Sequence, residues 1–245
     1  IAIDNNSDDN SVQLLKQFPQ VHLIESQENL GFGKANNQAL QIAKGQYILF
    51  LNPDTIVPED CFIKCINFFE NNTTCGALGI KMIDGNGNFL PESKRSFPSV
   101  SISFFKLIGL ASLFPKSKLF NRYALGFLDE NNNHEVDVLA GAFFMAKKDL
   151  LIEVNGFDET FFMYGEDVEW GYRLGQQGQL LMLRDAFVVH LEYGSSDAYQ
   201  QHIPTHINRF KTQAQVSNLL WIRKQYGVGA YLFLVIHYLT LLPII

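Results

Sequence analysis

From residue 1 to about residue 71, short apolar runs alternate with stretches that carry helix signals. "IAI" runs into the polar turn "DNNSDDNS", whose N-cap chemistry opens the helix "VQLLKQF". "VHLIES" leads into "NLGFGKANNQALQIAK", a loop entering a helix that stops at Gly45. "QYILFLNPD" is a buried strand ending in a polar turn, and Pro58 opens the next helix, over about 58–71. Strand, helix, strand, helix, strand, helix is the order of a mostly parallel α/β sheet flanked by helices.

The remainder is less regular. "ALGIKMIDGNGNFL" predicts a strand and a hairpin around Asp84-Gly85, and "VDVLAGAFFMAKKDLLIEV" a strand, a Gly turn and a helix start. "EDVEWGYRLGQQG" reads as a helix closed by Gly178, "QLLMLRDAFVVHLE" as a strand pair, and 205–226 as a helix. Residues 98–128 mix Phe, Leu, Ser and Lys without a period, which predicts a mobile or partner-facing segment. The tail 228–245, "VGAYLFLVIHYLTLLPII", has no charge apart from His237. Its length is near the lower limit for a membrane span, so it either contacts a membrane or docks on protein.

At 245 residues and 47% hydrophobic, the chain can build a real core and is not disordered. A net charge of −6 disfavours nucleic acid as the main partner, because phosphate binding calls for a basic surface. Cys61, Cys65 and Cys75 form no CxxC pair and no Cys/His cluster. Buried, reduced thiols in a reducing compartment are expected.

Several tempting motifs fail. "GFGKAN" (31–36) has Asn36 where the dinucleotide fingerprint needs Gly. It also lacks the first Gly and the final Ser or Thr of a Walker loop, where Glu28 and Ala35 stand. "DNNSDDN" has Asp9 where a calcium loop turns on Gly. What remains is four polar stretches at strand ends, the edge where open α/β sheets bind ligands: Asp4–Asp9, Asn29–Asn37, Asn52–Asp54 and the Asp167 segment. His190 ends a later strand beside them. Singly, each reads as a capped turn.

In order and wording these stretches resemble the family 2 glycosyltransferases of the GT-A fold. The residues that carry the resemblance are "IAIDNNSDD", "ENLGFGKANNQAL", "YILFLNPDT", "LAGAFFMAKKDLL", "NGFDETFFMYGEDVEWGYRLGQQG" and "VVHLEYGSS". The branch is similar to rhamnosyltransferase-like enzymes of bacterial surface polysaccharide synthesis. Such enzymes ordinarily begin with one more strand and helix, so the first unit is expected to be missing here. The resemblance implies a GT-A domain over 1–200 and a helical, partly membrane-directed segment over 201–245.

The resemblance also implies roles. Asp4 would hydrogen-bond the nucleobase, since a carboxylate accepts the N3–H of uracil or thymine. Asn29, Gly31 and Asn37 would line the nucleoside, with Gly31 permitting close backbone approach. "NPD" matches the family's DxD metal motif with Asn52 in place of the first acid. Asp54 would hold Mg²⁺ or Mn²⁺ on the donor diphosphate, with His190 as a further ligand. Asp167 matches the general base of the "ED" motif, and Glu166 would orient the acceptor or its neighbour. Glu169 and Arg173, four apart, predict a helix ion pair. Trp170 is either an acceptor platform or core, and Lys94 and Arg95 either approach the diphosphate or form a solvated loop.

The expected activity is inverting transfer of a sugar, with rhamnose the branch's suggestion, from a dTDP- or UDP-type donor. The acceptor is a hydroxyl of a glycan or polyprenyl-linked glycan. The location implied is cytoplasmic, at the inner face of the plasma membrane. The rival readings are a sugar nucleotidyltransferase and a non-catalytic sugar-nucleotide or glycan-binding protein of the same fold.

Overall fold

The computed structural model describes residues 1–191 and 209–241. Two strands, β1 (Ala2–Asp4) and β2 (Leu23–Glu25), pair in parallel, with α1 (Ser11–Leu15) between them in sequence. The helix α2 (Phe32–Ile42) follows, then β3 (Tyr47–Leu51), β4 (Thr55–Ile56) and α3 (Cys61–Asn71). Next come β5 (Cys75–Ile83), α4 (Val100–Leu107), α5 (Leu110–Leu113), β6 (His134–Glu135), β7 (Phe143–Lys147) and α6 (Lys148–Glu153). The chain closes with α7 (Glu166–Gly175), β8 (Gln179–His190) and α8 (Arg209–Leu241). The six-stranded sheet runs β3-β7-β5-β8-β4, with β6 also on β8.

This is the expected mixed α/β sheet flanked by helices, with one correction to the strand directions. Only β1–β2 and β5–β8 pair in parallel; β7 is antiparallel to both β3 and β5, and β4 and β6 are antiparallel to β8. The parallel expectation followed from the regular alternation of the first 71 residues. The strands that flank β5 come instead from the irregular second half, and of these β7 runs antiparallel and β8 parallel to it.

Alternation along the strands builds two cores, one on each face of the sheet. In β7, Phe143 and Met145 pack with α3 residues Cys61, Cys65 and Phe69, while Phe144 and Ala146 face Trp170 and Leu174 of α7. Trp170 is therefore core: only 1% exposed, it stacks on Phe144 at 4.6 Å and meets Phe50 edge-on at 5.1 Å. All three cysteines are free and buried, and burial pushes the Cys75 thiol up to about 12.

Two further expectations are corrected. The strand pair expected over 179–192 is a single strand, β8, with a bulge where the register on β5 jumps between Ile80 and Lys81. Exposed Arg184 and Asp185 resemble a turn in sequence, yet they bulge outward while Leu183 and Ala186 stay in the core. The segment 98–128 folds onto the chain itself. Ser99 caps α4 by accepting from the Ile102 backbone at 3.3 Å, and Phe104 packs on Phe233 and His237 of α8.

The helix expected at 205–226 begins outside the described residues and continues past 226, to Leu241. It is two helical pieces meeting at Gly227, whose φ of 82° requires a residue without a Cβ. No described helix is long and apolar enough to cross a membrane.

Candidate functional site

Asp4 ends β1, buried, and its carboxylate accepts the backbone N–H of Ser7, three residues on, at 3.1 Å, closing the turn. The neighbouring Asn5 organises the loop across from it. It donates to Asn29 Oδ1 at 2.9 Å and to the Gly31 carbonyl at 3.1 Å, and accepts from the Leu30 N–H at 2.8 Å. Asn29 in turn accepts the Gly31 N–H at 3.0 Å. Nothing in the sequence distinguishes Asn5 from any other residue of a polar turn.

Gly31 is required by the protein itself. Its φ is 78°, and a Cβ there would collide with the Phe162 carbonyl, which accepts the Phe32 N–H at 2.9 Å. Asn37 donates to the Phe157 carbonyl and Glu159 Oε1, both at 3.0 Å, and accepts from the Phe157 N–H at 2.8 Å. Thus the 29–37 segment holds the 157–162 segment, which leads into α7.

The "NPD" turn closes with the Asn52 carbonyl accepting the Thr55 hydroxyl at 2.7 Å. β4 then pairs with the end of β8, placing Thr55 opposite His190. That register brings Asp54 Oδ1 to 3.4 Å from His190 Nε2, while Glu92 Oε1 lies 3.8 Å from Nδ1. Asp54 Oδ1 is buried and accepts no hydrogen bond among the described residues. An orphaned carboxylate oxygen beside an imidazole suits a divalent cation. Among the described residues no group of three His, Cys, Asp or Glu side chains could hold a metal, so a donor diphosphate and water would have to complete the shell.

Asp167 lies in the first turn of α7, where the helix dipole favours its charge. Oδ1 accepts the Val168 N–H at 2.8 Å, and Oδ2 is paired with the Arg95 guanidinium. Arg95 also donates to the Leu139 carbonyl at 3.1 Å and lies within 3.4 Å of the Tyr123 hydroxyl. Burial works against the Arg95 charge, but Asp167 outweighs it and the arginine is held more firmly protonated than usual. Neither sequence expectation for Lys94 and Arg95 holds. Lys94 is buried, donating to the carbonyls of Leu125 and Leu128, and Arg95 serves Asp167. Nothing local in "SKRSFP" signals a partner 72 positions away.

Glu166 is 7% exposed, and its Oε2 has no hydrogen-bond partner among the described residues. Burial first, and the Asp167 charge second, push its carboxyl up to about 8. The segment before it carries two successive left-handed residues, Tyr164 (φ 63°) and Gly165 (φ 81°). For Tyr164 that conformation costs of order 1–3 kcal/mol, sustained by the packing around it. Ser217 of α8 contributes, donating to the Met163 carbonyl at 2.9 Å.

The expected Glu169–Arg173 pair forms, bidentate from the Arg173 side. Lys224 of α8 joins it, contacting Glu169 and Asp158 at 2.7 Å each. Burial raises the Asp158 carboxyl, but the Lys224 and Thr160 hydrogen bonds outweigh it and hold it at about 2. The C-terminal helix is therefore bolted to the helix that presents Asp167.

A fold of this kind with an acid-bearing strand-end turn and an acidic helix start defines a GT-A glycosyltransferase. The family model "Glycosyl transferase family 2" matches residues 1–152, and the chain belongs to that family. It is 28% identical over 203 residues to the N-acetylglucosaminyl-diphospho-decaprenol L-rhamnosyltransferase of Mycobacterium tuberculosis, covering 78% of this chain and 65% of the relative. The rhamnosyltransferase WbbL of Escherichia coli is 28% identical over 204 residues, covering 77% of this chain and 73% of the relative. Among solved structures, GalNAc-T7 with UDP, GalNAc and Mn²⁺ has a TM-score of 0.56 at 18% identity, covering 77% of this chain and 36% of that one. The mannosyltransferase PcManGT from Pyrobaculum calidifontis, with GDP-Man and Mn²⁺, has a TM-score of 0.52 at 16% identity, covering 97% and 65%.

Proposed function

We propose that the protein is an inverting, metal-dependent glycosyltransferase of bacterial surface polysaccharide synthesis. It moves a sugar, rhamnose by analogy with the two relatives, from a dTDP- or UDP-type donor to a hydroxyl of a glycan or lipid-linked glycan. The observation that carries this is the placement of Asp167: paired with Arg95, at a helix N-terminus, on the wall of a cavity.

Asp4 receives the nucleobase, and the Asn5–Asn29–Gly31 loop shapes the nucleoside site. Asp54 and His190 would hold Mg²⁺ or Mn²⁺, which supplies charge to balance the leaving diphosphate. Asp167 takes the proton of the acceptor hydroxyl as that oxygen bonds to the anomeric carbon and the bond to the nucleoside diphosphate breaks. The Arg95 guanidinium holds the Asp167 carboxylate in place, and the acceptor hydroxyl acidifies as its new bond forms, so a carboxylate suffices as the base. Incubation with labelled sugar nucleotides tests the reading. Transfer or slow hydrolysis supports it, pyrophosphate release favours a nucleotidyltransferase, and binding alone a non-catalytic protein.

A second element concerns the membrane. Residues 94–128 and 209–241 together hold ten Lys and Arg, of which Lys94 is buried and Arg95 and Lys224 are paired with acids, and no Asp or Glu, whereas the rest of the chain sets nine Lys and Arg against all 25 acids. On the second piece of α8, Val228, Leu232, Ile236 and Leu239 are exposed at helical spacing, and Leu113, Phe114 and Leu119 are exposed near Lys116 and Lys118. An apolar and basic surface of this kind suits anionic headgroups, at about 1 kcal/mol per cation. The enzyme is proposed to lie on the cytoplasmic face of the plasma membrane, with 1–200 as the catalytic domain and 201–245 as the helical segment. That boundary falls outside the described residues. Sedimentation with anionic but not neutral vesicles at low salt is the expected result; equal recovery with both would remove the membrane from the proposal.

A further inference from the structure

The first turn of α7 carries Glu166, Asp167 and Glu169, and its N-cap is Gly165, which has no side chain with which to cap the helix. Helix starts without a side-chain cap fray, because their first N–H groups lack partners. A fixed position for Asp167 then depends on neighbours outside α7. On its own side Arg95 is one such neighbour. Glu169 stands two residues on, about 200° around the helix, and faces the other way. It is 2% exposed and paired with Arg173, and Lys224 of α8 reaches it at 2.7 Å. Arg173 ties the pair to the carbonyls of Val154 and Gly156, in the segment before α7. Lys224 ties it to α8 and to Asp158.

The turn before α7 is held by the same helix. Tyr164 and Gly165 are both left-handed, a conformation that a tyrosine keeps only where its surroundings impose it. Ser217 of α8 is 1% exposed and donates to the Met163 carbonyl at 2.9 Å. Its Cβ stands 3.1 Å from where a Cβ on Gly165 would lie, so turn and helix are in close contact. Ser217 and Lys224 are seven positions apart by their numbering, two helical turns, and therefore share one face of the first piece of α8.

We propose that Ser217 and Lys224 are positioning residues for Asp167: the first piece of α8 locks the left-handed turn and the Glu169 side of α7, and so fixes the carboxylate that takes the acceptor proton. Both act through Asp167 and not on the substrate. The assignment rests on Asp167 as the general base and adds the C-terminal helix to the apparatus that serves it.

Rates are read with the labelled sugar nucleotide that the wild type turns over, and donor-site affinity with UDP and dTDP in Mn²⁺. Lys224→Gln should lower transfer or hydrolysis about ten-fold or more and change nucleotide affinity by less than about two-fold, because a displaced base costs rate and not donor binding. Ser217→Ala should act in the same way by about three-fold. Lys224→Arg keeps the charge and should recover most of the rate. In Asp167→Asn protein, Lys224→Gln should cost less than about two-fold, since nothing is left for it to position. The full loss persisting there, equal losses of rate and nucleotide affinity, or no loss of rate would overturn the proposal. Hydrogen exchange supplies a readout that needs no turnover. In Lys224→Gln and Ser217→Ala the amides of 163–171 should exchange at least about five-fold faster, and those of β5 at the wild-type rate. Unchanged exchange at 163–171, or faster exchange throughout the chain, would overturn the proposal too. The expected exchange pattern in a protein that neither transfers nor hydrolyses any sugar nucleotide would sink the activity and leave the hold of α8 on Asp167 standing.

Discussion

The Asp54–His190 cluster lies at strand ends, whereas Asp167, expected from the sequence at a strand end, opens the helix α7 beside Arg95, and the two clusters are built to opposite rules. Asp54 faces an imidazole at 3.4 Å and leaves a buried oxygen without a hydrogen bond. Asp167 has both oxygens engaged, one by a helix N–H and one by a buried guanidinium. On the proposed reading the first cluster works through a bound cation, whereas the second is held by the protein alone. The difference teaches where preorganisation is needed. A carboxylate that acts through a cation needs less support from its neighbours than a base, which must already hold its position when the acceptor enters.

Asp167→Asn gives the largest expected effect on this contrast. It should retain donor affinity, which also serves as the control for folding, and lose transfer by about 10²–10⁴-fold. A variant with more than half the wild-type rate would refute the base assignment.

Asp54→Ala should weaken donor binding by about ten-fold or more in Mn²⁺ and little in EDTA, because the carboxylate acts through the ion. His190→Ala should move affinity in the same direction by less. Equal loss in both buffers would mean that the cluster serves the fold, and the contrast with Asp167 would collapse.

Asp4→Ala should reduce affinity for the whole donor and for the free nucleoside diphosphate alike, by several-fold on the worth of about one to two hydrogen bonds. Calorimetry with the two ligands decides. A loss confined to the whole donor would move Asp4 toward the sugar.

The smallest effect is on stability and concerns Glu166. Its folded carboxyl titrates at about 8, against an ordinary 4.5. Between these values the folded state holds a proton that the unfolded state has released, so stability falls as pH rises through this window. Glu166→Gln keeps the shape without the titration. Its melting temperature should match the wild type near pH 4.5 and exceed it by a few degrees at pH 8. Parallel curves across the window would show that Glu166 is not buried as an acid.

What could be read in the sequence was local. The capped turn at Asp4 and the Glu169–Arg173 pair each depend on residues within four positions, and both form. Trp170 has two readings in the sequence, because helical spacing cannot tell a core face from a cavity face. Gly31 permits a close backbone approach, and within the protein it is the Phe162 backbone that makes one.

The sequence by itself determined the family, the alternation that starts the α/β sheet, and the chemistry of the strand-end turns, because these rest on short-range pattern and residue type. Only the tertiary structure decided who meets whom. The β4–β8 register brings Asp54 to His190, 136 positions apart by their numbering. Packing of α4, α7 and α8 likewise pairs Arg95 with Asp167 and Lys224 with Glu169. Such contacts depend on chain crossings and on the burial of charges against distant partners, and no local propensity encodes a partner that the chain reaches only after it has folded.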